Sequence, residues 1–171
     1  KTHNMANTLK ILHAPNHRNI KGTQFFIDAV NELKQEGCNI ELLLLEKVPN
    51  DKIRETMEEV DVVADQLIIG WYAMFAIEGM SLGKPVLCYI RKDFEDFYIK
   101  KHILKEKELP IVNCNPENVK EIIKWLYNNK DITESIGNKS IKYIEEHHSL
   151  ETIGKMFDSI NREIGIKPAR N

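Results

Sequence analysis

In the stretch GWYAMFAIEGMSLGKPV, residues 70–86, one carboxylate stands among small and apolar side chains. Glu78 falls one helical turn beyond the point where a strand should end and a helix begin, on the face shared by Met74 and Leu82. A charged carboxylate buried there without a partner would be costly. Its two oxygens can accept from two donors at once, so a pair of sugar hydroxyls would satisfy it. The alternative is a surface glutamate that favours the dipole of its own helix, and the residues leave both readings open. Gly79, Ser81 and Gly83 let the helix lie close to a sheet, which argues against a wholly exposed second turn. Just upstream, Gly70 turns the chain, and the amides of Ala73, Met74 and Phe75 become free donors at a helix start. Unpaired N–H groups and the helix dipole attract phosphate at such an end.

A second polar turn, APNHRNIKGT over residues 14–23, offers Arg18 and Lys21 as cationic donors to an anion and Gly22 for close backbone approach. The same stretch also reads as an exposed basic turn. His13, at the end of the preceding strand, could donate to a ligand. His13 and His17 are four apart, but Pro15 lies between them and breaks the helical geometry of a metal pair, so no metal is expected. Asp65 and Gln66 sit inside an apolar strand and need partners, either as structural pins or as groups facing the cleft. Trp71 and Tyr72 suit stacking on a base or sugar ring, or a place in the core. His147 and His148 at a helix end favour its dipole or face solvent.

The elements that must position these groups follow from periodicity. LKILHAP (9–15) reads as a strand stopped by proline, and TQFFIDAVNELKQEG (23–37) as a helix with Phe25, Phe26, Ala29, Val30 and Leu33 at helical spacing. NIELLLLEKV (39–48) is almost continuously apolar, as expected of a strand buried on both faces in a parallel sheet. A short helix over 50–59, a strand in VDVVADQLIIG (60–70), a helix near 73–82 and a strand in PVLCYI (85–90) continue the alternation. YIKKHILKEKE (98–108) reads as a solvated face, LPIVNCN (109–115) as a strand, and Asn115-Pro116-Glu117 as the entry to a helix over 117–129. Two helices follow, over 131–148 and 149–165, with Ser149 as the cap of the last. The alternation predicts an α/β fold with a doubly wound, mostly parallel, Rossmann-like sheet, formed by a single domain over 1–171 with 131–171 as C-terminal helices. In such sheets ligands bind beyond the carboxyl ends of the strands, where both polar turns fall.

A net charge of -2 supplies no footprint for a nucleic-acid backbone, so no nucleic-acid partner is expected. Cys38, Cys88 and Cys114 are odd in number and widely spaced, which argues against a disulfide framework and for a reducing, cytoplasmic setting. No apolar run approaches the roughly 18 residues of a membrane span, and the polar start KTHNMANT is no secretory signal. The chain begins at Lys1 rather than Met, as a fragment or excised domain would.

Four segments resemble the C-terminal, donor-binding domain of the GT-B glycosyltransferases, in particular the retaining family 4 (group 1). They are IKGTQFFIDAVNEL, EEVDVVAD, AIEGMSLGKPV and YIEEHHSLETIGKMF, spread along the sequence so that the resemblance extends over nearly the whole chain. The resemblance implies the C-terminal half of a GT-B fold, with the N-terminal acceptor-binding domain of the same protein absent from this chain. It implies metal-independent, retaining transfer of a sugar from a UDP-, GDP- or ADP-sugar donor to an acceptor sugar or lipid-linked glycan, with no separate cofactor. Residue by residue, Lys21 matches the lysine on the donor diphosphate, and Glu78 the second glutamate of the Glu-x7-Glu motif, which holds the ribose hydroxyls. The amides at Ala73, Met74 and Phe75 match the phosphate-binding helix start. Catalytic contributions are then expected from Glu78, Lys21 and Arg18, and donor contacts from His13, Gly22, Gly70 and the 73–75 turn. Two positions depart from the pattern. The first motif glutamate falls at Gly70, and the family arginine falls at Asn16, with Arg18 near enough to serve a phosphate instead. The segment between the strands at 40–48 and 61 is also shorter than usual. These departures keep two alternatives in view, a degenerate non-catalytic nucleotide-sugar-binding or scaffold module and a nucleotide-sugar epimerase. The full-length protein is expected in the cytoplasm, with room for peripheral attachment to the membrane.

Overall fold

Leu9, Ile11 and Leu12 are fully buried in Leu9–His13 (β1), near the middle of a five-stranded sheet. The computed structural model describes residues 8–166; residues 1–7 of the polar start and residues 167–171 of the expected C-terminal helical region lie outside them. The strand order is β2-β1-β3-β4-β5, with Ile40–Leu44 (β2), Val62–Gln66 (β3), Val86–Cys88 (β4) and Val112–Asn113 (β5), and every ladder is parallel. Parallel neighbours need crossover connections. Arg18–Lys21 (α1) with Thr23–Gln35 (α2), Asn50–Glu59 (α3), Met74–Ser81 (α4) and Lys92–Lys100 (α5) supply them in turn. Val119–Asn128 (α6), Asp131–His147 (α7) and Leu150–Glu163 (α8) complete the described chain.

Alternation along the strands divides the interior into two layers. Leu9, Ile11, Val62 and Ala64 face Phe26, Val30 and Leu33 of α2 and Ile123 and Leu126 of α6. On the other side of the sheet, Leu12, Val63 and Val86 pack with Met57 of α3, Ala76 and Met80 of α4, and Tyr143 of α7. Each fully buried large side chain contributes about 1.5–3 kcal/mol, and the two layers fix the orientation of the sheet's carboxyl edge.

Two expectations change. Among the described residues the apolar run around β2 is an edge strand rather than one buried on both faces: it pairs there with β1 alone, and Leu42, Leu43 and Leu44 are only partly buried. The solvated segment 98–108 begins inside α5, which carries Phe94, Phe97 and Tyr98 and ion pairs from Lys92 to Glu95 and Asp96. The cap expected at Ser149 is present, its hydroxyl accepting from the Thr152 amide at 3.1 Å. Cys38, Cys88 and Cys114 are free thiols. No helix among the described residues is long and apolar enough to cross a membrane.

Candidate functional site

A cleft of about 1320 Å3 opens beyond the carboxyl ends of β1 and β2. One wall comes from the turn after β1, including Asn16 and Lys21, and another from the loop after β2, including Glu46 and Lys47. Ala73, Met74, Phe75 and Glu78 of α4 close a third side, and Asn50, Asp51 and Arg54 of α3 reach in from the loop side. The start of α4 has no side-chain cap at Ala73, so the first-turn N–H groups are left to solvent or to an anion. Glu78 is exposed rather than tucked against the sheet, while its neighbour Gly79 seats the helix on Val63 and Val86. No hydrogen bond or ion pair engages its carboxylate among the described residues, which leaves both oxygens available at the cleft wall.

Lys21 closes α1 and is followed by Gly22, whose left-handed φ of 71° ends that turn. Its carbonyl accepts from the Leu67 amide at 3.1 Å, tying the turn to the end of β3. The Lys21 ammonium donates to Asp65 Oδ1 at 2.6 Å, and the two side chains are 13% and 0% exposed. Asp65 occupies an irregularity in the β3–β4 ladder, where Ala64 pairs with Leu87 and Gln66 with Cys88. A bulged strand re-aims side chains at that point. Gln66 is the pin of the pair: its Oε1 accepts from the Ile68 and Ile69 amides at 2.8 and 2.7 Å, and its Nε2 donates to the carbonyls of Trp71 and Tyr89. Through these bonds a single amide side chain shapes the loop that leads into α4.

Other expected site residues do not reach the cleft wall. Arg18 donates from Nε and Nη2 to the two Glu46 oxygens at 2.7 and 2.5 Å, and that hydrogen-bonded guanidinium pulls the Glu46 carboxyl below its ordinary range. Glu46, not Arg18, lines the cleft, while Arg18 and Gly22 border a smaller hollow of about 210 Å3 with Phe25. His13 is fully buried, with Nδ1 2.7 Å from the Ala64 carbonyl and Nε2 2.9 Å from Thr23 Oγ1, so both ring nitrogens are spoken for in the core. Burial holds its imidazole down at about 4. Gly70 adopts φ 91°, and a Cβ there would run into Cγ and Cδ of Arg91. A glutamate at this position would be strained by the positive φ and would require the Arg91 side chain to shift.

The aromatic pair after Gly70 is also structural. Trp71 stacks on Tyr98 at 4.6 Å, and the Tyr72 hydroxyl lies 2.8 Å from that of Tyr143 and 3.0 Å from His148 Nε2. His147 lies 3.2 Å from Glu108 Oε1. With Glu146 these two bring three donor atoms within 4.8 Å, outside the cleft, where Lys105 and Lys142 already pair with the carboxylates. Sequence reasoning missed Glu46, Asp51 and Arg54 on the cleft; the signal available was only their place in the loop and helix after a strand.

No protein-family profile matches the chain, and no curated protein is significantly similar to it in sequence. Solved structures are similar in fold. A variant of S. aureus TarM, in complex with fondaparinux, α-GlcNAc-glycerol and UDP, is 20% identical with a TM-score of 0.63, over 93% of this chain and 37% of that one. WaaG, a glycosyltransferase involved in lipopolysaccharide biosynthesis, is 13% identical with a TM-score of 0.60, over 91% of this chain and 47% of that one. The C-terminal domain of the glycosyl transferase group 1 family protein LpcC from Francisella tularensis is 13% identical with a TM-score of 0.54, over 83% and 87% of the two chains. The chain thus spans less than half the length of TarM and WaaG. Its fold is the Rossmann-like α/β fold shared with parts of these solved glycosyltransferases, among them the C-terminal domain of LpcC.

Proposed function

We propose that this chain is the nucleotide-sugar-binding domain of a glycosyltransferase, which acts with a second, acceptor-binding domain of the same protein. The observation that carries the reading is one cleft in which an uncapped helix N-terminus, a lysine and an unpartnered carboxylate share the walls. The first turn of α4 and Lys21 receive the diphosphate, and Glu78 accepts from the two ribose hydroxyls. In transfer, the bond from the anomeric carbon to the diphosphate oxygen breaks, an acceptor hydroxyl oxygen bonds to that carbon, and the hydroxyl proton is released to the departing diphosphate or to solvent. The diphosphate leaves with added negative charge, which the α4 amides and Lys21 stabilise in place. Arg18 would join them only by exchanging Glu46 for phosphate. Retention of configuration and independence from metal belong to this proposal. So does the acceptor, a sugar or lipid-linked glycan. Support for the nucleotide comes from UDP in the TarM complex.

A degenerate binding module is the second reading, favoured by Gly70, where Arg91 fills the space a donor-sugar ligand would need. Calorimetry of the chain with UDP, GDP and ADP, each with and without EDTA, tests the proposal. At least one diphosphate should bind equally in both conditions. Binding to none of them, or binding abolished by EDTA, would refute it. Slow donor hydrolysis or transfer by the full-length protein separates the enzyme from the degenerate module.

A further inference from the structure

We propose that Asp65 is a positioning residue, a buried carboxylate that holds the Lys21 ammonium at the cleft wall with its spare donors open to an incoming diphosphate. The inference rests on the nucleotide reading above. Asp65 lies in the central strand, at the point where the β3–β4 pairing slips, and its side chain is fully buried. Its hydrogen-bond partners among the described residues are Lys21 at 2.6 Å and, weakly, the Cys88 thiol at 3.8 Å. His13, the nearest titratable ring on β1, is committed to Ala64 and Thr23. The charge on Asp65 is therefore balanced by Lys21, and a buried charge without such a partner is strongly disfavoured.

An ammonium has three N–H donors, and Asp65 uses one of them. A free lysine loses considerable rotamer entropy when a ligand immobilises it; a lysine already held by a buried partner has lost it in folding. The contrast with Arg18 supports the distinction. Its pair with Glu46 is partly exposed, at 50% and 33%, where solvent screens the interaction.

The sign of one substitution separates positioning from simple proximity. A carboxylate that merely sits near the diphosphate repels it, so its removal would tighten binding. A carboxylate that positions Lys21 does the opposite. Asp65→Asn in the full chain should weaken UDP at least fivefold, leave uridine unchanged, and add nothing further on a Lys21→Met background. Unchanged or tighter UDP binding would overturn the proposal, and so would equal losses for UDP and uridine, which mark a purely structural role. Reductive methylation read by mass spectrometry supplies a second readout that needs no nucleotide. Lys21 should react at least tenfold more slowly than Lys47 in the parent chain, and Asp65→Asn, or Asp65→Glu if the first variant does not fold, should speed it severalfold. Equal reactivity of the two lysines, or a rate at Lys21 indifferent to residue 65, would overturn the assignment. If the parent chain binds no nucleotide while Lys21 still depends on Asp65, the nucleotide reading falls and the holding of Lys21 stands.

Discussion

Glu78 carries its charge in the open, so its role can be tested without disturbing the core. Glu78→Gln keeps the shape, removes the charge and replaces one acceptor with a donor. With a ribonucleotide this should cost about 1–3 kcal/mol, and the loss should shrink with the 2′-deoxy ligand. A double cycle of protein variant against deoxy ligand measures the coupling directly, and a coupling energy of zero would remove Glu78 from the ribose site. An exposed residue with no role should change stability by only about 0.5 kcal/mol or less. His13 gives the complementary test of the core. Its folded-state pKa of about 4 lies below the ordinary 6.5, because burial disfavours the imidazolium. Between these values the unfolded chain binds the extra proton. Stability from the neutral ring is therefore complete above pH 6.5 and falls, by on the order of 3 kcal/mol, as pH drops towards 4. Urea unfolding across that window should show the decline, and His13→Gln should flatten it. The sequence suggested Lys21, Glu78 and the 73–75 turn because each follows a strand end. The Lys21–Asp65 and Arg18–Glu46 pairs join residues 44 and 28 positions apart, and a linear pattern gives no distance across such a gap.

At the level of elements, the loop between β3 and α4 decides what the site can contain. Gly70 is held at a φ that disfavours side chains, and Arg91 occupies the adjoining space. Gly70→Glu should therefore cost about 1–3 kcal/mol of stability and give no gain in donor affinity. A melting curve beside a nucleotide-sugar titration checks both, and tighter donor binding in the variant would show that the loop can reopen around an acid. Most elements were legible because apolar spacing and punctuation agree. Proline after β1, Gly37 after α2, and Gly83-Lys84-Pro85 after α4 mark ends that the structure keeps to within a few residues. The lateral place of β2 was not legible, since an apolar run records burial but not which strand stands beside it. The start of α5 was obscured because it mixes charges of both signs and has no fully buried residue, so its pattern resembles a solvated surface.

For the whole molecule, the doubly wound sheet brings turns distant in sequence to one edge, and the two apolar layers hold that edge in register. α8 stands apart from this economy: Leu150 is 94% exposed, Phe157 is 57% exposed, and no residue of the helix is buried. Its helical span and its Ser149 cap were readable; the exposure of its apolar side chains was not. At the far end of α4 the packing is the reverse of loose. Gly83 turns at φ 67°, and α7 comes so close that a Cβ on Gly137 would strike the Gly83 carbonyl oxygen. The helix whose free amides face the cleft is thus butted against another helix at its opposite end, which blocks it from sliding away from the cleft. An anion drawn to its first turn therefore meets a helix backed by a stop, one that cannot recede from the charge it receives.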